Sequence, residues 1–244
     1  MNPLQLTEQG DMAGMVLVPG MMCDAGLWQE MVDDLAAYGP LIYGDLSRDD
    51  SLETMAASVL AGAPERFTLV GFSLGGYVAR EMIRQAPERV QRLILIATSS
   101  QQDSPQSQAF KAAAARSLRA SQGAFRGLGH KAIALSLSQE HAENVHLQSQ
   151  IHQMSLRMGK EAYCRQLLMA RNSDTHLLHQ IACPTFVIAA GQDRMRSVQE
   201  SRTLCEMIPR ASLEIIDNSG HMLPLEQPAA LVKVIQHWLS VTPV

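Results

Sequence analysis

The stretch Phe67-Thr68-Leu69-Val70-Gly71-Phe72-Ser73-Leu74-Gly75-Gly76-Tyr77 limits the folds open to this chain more than any other. A short apolar run of β type leads into Gly-x-Ser-x-Gly, and a helical pattern follows at once. That is the strand, sharp turn and helix in which a serine becomes a nucleophile at the top of an open sheet. Gly71 and Gly75 flank Ser73 by two residues on each side, where in so tight a turn a Cβ would collide with neighbouring backbone. Ser73 is expected in a strained conformation of the kind functional sites tolerate. If Ser73 attacks an acyl group, the rest of the chain must supply a base, an acid and an oxyanion hole.

The flanking sequence has the alternation of a parallel sheet covered by helices. Met15–Val18 is a short apolar run ended by Pro19-Gly20, as in a buried parallel strand. Ala25–Tyr38 has helical apolar spacing, stopped by Gly39-Pro40. Leu41–Tyr43 follows as a strand and Asp45–Asp50 as a polar loop, and Ser51 is placed to cap a helix to Ala63. After the Ser73 strand comes a helix ending before Pro87 and a strand at Leu93–Ala97.

At Thr98 the alternation stops. From about Gln101 to His179 there are only helical patterns, predicted at Gln106–Ser121, Phe125–Leu137, Glu140–Met158 and Lys160–Arg171. A strand at Pro184–Ala190, a helix to Ile208, a strand at Leu213–Ile216 and a helix from Pro228 to Ser240 then complete the chain. The expected organisation is one core, residues 1–100 and 181–244, with a helical cap inserted at 101–180. That cap carries nine Lys/Arg against five Asp/Glu, while the core is acidic. It is either an ordinary solvated surface or a basic face for an acidic substrate or carrier protein.

A serine hydroxyl needs a base to take its proton, and that base needs a carboxylate to orient it. On this architecture both follow the serine, acid first, in loops after later strands. Asp193 stands just past the Pro184–Ala190 strand and His221 in the loop after Leu213–Ile216. Asp217 and Asp103 are the competing acids. The oxyanion hole is expected from backbone N–H groups: Leu74 after the nucleophile, and Met21, or second Met22, after the first strand. Met22 and Met222 neighbour these positions and are candidates to line an acyl pocket, or are flexible core filler. Asp174, His176 and His179 match no strong zinc spacing, and no metal site is expected.

Composition sets the remaining bounds. With 46% apolar and 18% charged residues, the 244-residue chain has the make-up of a globular protein. A net charge of −4 gives no reason to expect nucleic acid as a partner. Cys23, Cys164, Cys183 and Cys205 are widely spaced, which fits reduced thiols in a cytoplasmic protein. Met1–Asp11 lacks the basic and apolar regions of a signal peptide, and no run is long enough to span a membrane.

Together these residues resemble the α/β-hydrolase superfamily. The matching pieces are Val18-Pro19-Gly20-Met21-Met22, Gly71-Phe72-Ser73-Leu74-Gly75-Gly76, Ala86–Val90, Cys183-Pro184-Thr185, Gly191-Gln192-Asp193 and Gly220–Pro228. The resemblance implies a mostly parallel sheet of about six or seven strands with a shortened N-terminal hairpin. Its insertion looks like the helical cap of carboxylesterase-type members, which include pimeloyl-[acyl-carrier protein] methyl ester esterases and enol-lactonases. It implies a serine hydrolase that cleaves a small carboxylic ester, thioester or lactone without a cofactor. A C–C hydrolase or lyase on the same fold, or a weakly catalytic receptor, would leave the same signature. The chain departs from the family in three loops, the first where Pro19-Gly20 stands in place of the His-Gly of many members. Asp45–Asp50 replaces the usual Gly-His-Gly, and Arg194-Met195-Arg196 follows the acid, where the arginines either bind a substrate carboxylate or are simply solvated.

Overall fold

The computed structural model describes residues 14–243. The expectations for Met1–Asp11 and for a shortened hairpin before the first strand lie outside the described residues. The strands are β1 (Gly14–Val18), β2 (Leu41–Tyr43), β3 (Phe67–Phe72), β4 (Val90–Ile96), β5 (Thr185–Ala190) and β6 (Ala211–Ile216). They form one sheet in the order β2-β1-β3-β4-β5-β6, and every pairing is parallel. β4 starts earlier than its apolar run suggests because Val90 and Arg92 already pair with β3.

Alternate residues of each central strand feed two cores, as expected for a sheet covered on both faces. Met15 and Leu17 face one way, with Trp28, Leu231 and Ile235. Val16 and Val18 face the other, with Met55, Val78 and Leu204. The second layer is built by α2 (Leu52–Gly62), α3 (Leu74–Gln85) and α7 (Val198–Met207). On the first face lie the C-terminal helix (Pro228–Val241) and the segment after β1. That segment is not the single helix predicted over Ala25–Tyr38. Asp24 accepts the Gly26 N–H at 2.9 Å and opens a 3-10 helix, Ala25–Met31, before the short α1, Val32–Ala36.

Between β4 and β5 the chain is helical, with α4 (Pro105–Ala120), α5 (His130–Ser136) and α6 (Val145–Leu168). α5 is much shorter than the predicted Phe125–Leu137. Leu128 N–H donates to Ser155 Oγ at 2.8 Å and its carbonyl lies 3.1 Å from His152 Nδ1, so this stretch is tied to α6 instead of coiling. The predicted helices on either side of Gly159 are one element with a kink, where Gly159 takes φ 82° and ψ 171°. α6 starts later than expected because Asn144 caps it, accepting from His146 and Leu147 N–H. Among the described residues, no helix is long and apolar enough to cross a membrane.

Candidate active site

The sheet order places the site. β1 leads to β2 on one side and β3 pairs with β1 on the other, so the loops leaving β1 and β3 part at a topological switch, where α/β proteins place their ligands. Val18 pairs with Gly71, and the two loops leave the sheet side by side. Ser73 sits at the turn with φ 51° and ψ −112°, outside the comfortable regions for an L-residue. It is held there by the Ser73 N–H to Ile96 carbonyl bond at 2.9 Å, and by Thr98 Oγ1, which donates to the Ser73 carbonyl at 2.7 Å. Added Cβ atoms on Gly71 and Gly75 would stand 2.6 Å from the Gly75 carbonyl and 2.2 Å from that of Val18. Both distances are collisions with backbone, as the motif predicts.

Gly20 matters for a related reason. Its loop passes so close to Ser73 that a Cβ would meet the Phe72 ring at 2.8 Å and Ser73 Cβ at 3.3 Å. The requirement is one of close approach.

The structure brings the three predicted side chains together. His221 Nε2 lies 2.9 Å from Ser73 Oγ, and His221 Nδ1 lies 2.7 Å from Asp193 Oδ2. The second carboxylate oxygen, Asp193 Oδ1, accepts the Met195 and Arg196 N–H groups at 2.7 and 2.9 Å, which fixes the carboxylate plane. His221 is buried and packs against Phe72, with ring centroids 5.2 Å apart. Neither competing acid reaches His221. Asp103 pairs with Lys111, and Asp217 makes no hydrogen bond with the imidazole. Asp174, which shares a segment with His176 and His179, is taken up by Arg80 and Arg84.

The two candidate donors after β1 are now distinguished. Met22 N–H donates to Gln166 Oε1 at 2.9 Å, which occupies the second-choice donor. Among the described residues, the Met21 and Leu74 N–H groups have no hydrogen-bond partner. Met22 itself adopts φ 59°, a left-handed turn that the Gln166 bond helps to hold.

Sequence reasoning missed Gln166. It is fully buried, and while Oε1 receives Met22, Nε2 donates to the Leu46 carbonyl at 2.9 Å. Arg165 beside it donates to the Ser47 carbonyl. The loop that replaces the family's usual Gly-His-Gly is thus the landing point for the end of α6. Glu226 was also missed as a functional contact. Its buried carboxylate accepts N–H bonds from Gly220 at 2.9 Å and Ser138 at 2.8 Å and lies 3.2 Å from His141 Nδ1, joining the His221 loop to the helical segment. The two arginines after Asp193 divide in role. Arg194 donates to the Ala134 and Leu137 carbonyls, whereas Arg196 faces the cavity.

That cavity, about 380 Å³, opens above Ser73 and His221. Met21, Met22 and Met222 line it, together with Leu128, Ile151 and Leu167 from the helical segment. Cys23 also lines it, and burial pushes its thiol up to about 12. The volume is at the small end of ligand pockets.

A six-stranded parallel sheet with a serine at the turn after β3 defines an α/β hydrolase. Residues 15–234 match the profile of the alpha/beta hydrolase family, and the chain belongs to that family. It is 35% identical over 107 residues to a pimeloyl-[acyl-carrier protein] methyl ester esterase of Nitrosomonas europaea, covering 41% of this chain and 42% of that protein. A biotin biosynthesis bifunctional protein BioHC of Cellvibrio japonicus is 26% identical over 240 residues, 91% of this chain and 46% of that protein. The matched stretch thus spans less than half the length of these curated relatives. Among solved structures, a thermophilic esterase of Thermogutta terrifontis matches at TM-score 0.82 and 24% identity, covering 93% of this chain and 89% of that one. An enol-lactonase of Burkholderia xenovorans LB400 matches at TM-score 0.81 and 18% identity, covering 96% and 94%. Both structures share the fold.

Proposed function

We propose that this chain is a serine hydrolase that cleaves a small carboxylic ester, thioester or lactone through an acyl-enzyme. The observation that carries the reading is the continuous path from Ser73 Oγ to His221 Nε2 (2.9 Å) and from His221 Nδ1 to Asp193 Oδ2 (2.7 Å). Ser73 Oγ attacks the carbonyl carbon while His221 takes its proton, and Asp193 stabilises the imidazolium. The developing oxyanion is received by the Met21 N–H from the loop after β1 and by the Leu74 N–H at the start of α3. His221 then passes the proton to the leaving group, and the acyl group stays on Ser73. A water molecule, deprotonated by His221, attacks the acyl carbonyl and frees the acid and the serine.

In this reading residues 101–180 are a cap over the core formed by 1–100 and 181–244, and they choose the substrate. None of the steps calls for a cofactor. Names of relatives point to an acyl group on a carrier protein. In support, Arg116, Arg119, Arg126 and Lys131 are exposed and form no ion pair among the described residues, which suits an acidic carrier. Four free thiols suit a reducing, cytoplasmic compartment. The test is hydrolysis of p-nitrophenyl butyrate, with fluorophosphonate labelling alongside. Ser73→Ala is expected to abolish both, and a variant as active as the parent would sink the mechanism.

A further inference from the structure

One wall of the Ser73 cavity is out of keeping with the rest. Most of the lining is apolar, yet Lys111, Arg171 and Arg196 line it too, with Asp103 as the carboxylate among them. Lys111 Nζ lies 2.5 Å from Asp103 Oδ2, so that pair is satisfied. Arg171 is not. Its Nη1 is 4.0 Å from Asp103 Oδ1, and its Nη2 reaches the Gln166 carbonyl at 3.3 Å and Met21 Sδ at 3.6 Å. The Nε–H of this buried guanidinium has no partner at all among the described residues. Arg196 lies 3.4 Å from Glu200 and stands over the Tyr77 ring at 5.8 Å. Three cations therefore share two carboxylates.

We propose that Lys111, Arg171 and Arg196 form an anion subsite of the Ser73 cavity that receives a carboxylate carried on the acyl part of the substrate. The inference rests on the hydrolase reading for its chemistry and on the cavity wall for its charge. A buried polar group without a partner is costly, and a surplus of one positive charge suits a monoanion. The planar guanidinium fork also matches a carboxylate. Burial first, and then the charge of Arg171, hold the Lys111 ammonium below its ordinary range, a cost that a bound anion relieves. Burial likewise lowers Arg171, and Arg196 adds to the effect.

Location indicates the acyl part. Arg171 is buried against Met21 of the oxyanion loop, and the Arg196 N–H is bonded to Asp193. By contrast, the lining residues Phe110 and Leu135 are 75% and 51% exposed and mark the mouth. A leaving group departs through the mouth, so the deep charged end faces what remains on Ser73.

The test compares ligands that differ by one carboxylate. Adipate is expected to bind the full chain ~10-fold or more tightly than hexanoate in calorimetry, since one hydrogen bond to a charged group is worth about a tenfold change in affinity or more. The kcat/KM for monomethyl adipate should exceed that for methyl hexanoate by a similar ratio. Arg171→Met and, at a half-buried position less exposed to misfolding, Lys111→Met should each shrink both ratios towards one. Equal binding of adipate and hexanoate, or ratios unchanged in both variants, would overturn the subsite. So would inorganic phosphate binding as tightly as adipate. If no ester is turned over, the hydrolase reading falls alone, and the adipate to hexanoate binding ratio still decides the subsite.

Discussion

Gln166 Oε1 accepts the backbone N–H of Met22 at 2.9 Å, a bond between residues 144 apart in the chain. The acceptor sits near the end of α6 and the donor in the loop beside Ser73. One buried amide therefore decides which backbone N–H groups of that loop are occupied and which, among the described residues, are free.

Gln166→Leu keeps the volume but removes the acceptor for Met22 and the donor to Leu46. Each orphaned buried group costs about 1–3 kcal/mol, so the loop is expected to shift. Small displacements of an oxyanion donor are expensive in rate. The expected outcome is a fall of ~10–100-fold in kcat on p-nitrophenyl butyrate with a much smaller change in KM. A lowered melting temperature with kcat intact would mean that Gln166 serves stability only.

Asp193→Asn tests the second contact of the path. Asp193 Oδ1 accepts two backbone N–H groups, so an asparagine would keep its oxygen there and turn its NH2 towards His221. The imidazole would then have to accept at Nδ1 and carry its proton on Nε2, facing Ser73, which is the wrong tautomer for a base. A fall of ~10³–10⁴-fold in kcat at neutral pH is expected with the fold unchanged by circular dichroism. Loss of less than tenfold would return the acid role to another carboxylate.

These three positions were legible in the sequence to different degrees. Ser73, Asp193 and His221 each stand just past a strand, so local patterns placed them, and the parallel sheet brought the strand ends together. The position after Gly20 ranks Met21 above Met22, but the contact that occupies Met22 comes from Gln166, far away in sequence. No motif marks Gln166, near the end of α6, or Arg171, just past it, since a long-range partner shows in the sequence only as one polar residue among many. Glu226 had a signal in its fixed distance from Gly220, but its role depends on Ser138 from another segment. The helical segment was the least legible part. Its elements are set by contacts such as Leu128 with Ser155, which override local propensity.

Alkaline pH should weaken the fold through buried thiols. Burial pushes Cys23 up to about 12 and Cys183 to about 11, from an unfolded value of 9.0. A raised folded value means that the folded state holds its proton longer, so the contribution is fully present below pH 9.0 and is lost as pH climbs towards 11–12. Each thiol then costs up to ~1.4 kcal/mol per pH unit in that window. Urea midpoints measured at pH 8 and near pH 10.5 should drop, and Cys23→Ala should remove part of the drop. A slope unaltered by that substitution would show that Cys23 does not contribute.

The Gln166 bond also bears on how such proteins can be recombined. Exchanging the segment between β4 and β5 for that of a relative is an obvious way to change substrate range, since that segment lines much of the cavity. Here the graft would also remove the anchor of the Ser73-side loop and the contact that Leu46 makes. A chimaera designed by matching cavity shape alone would inherit Ser73, His221 and Asp193, yet lack the support for the loop that carries Met21 and Met22. The transferable unit is therefore the segment together with the two loops on which Gln166 rests.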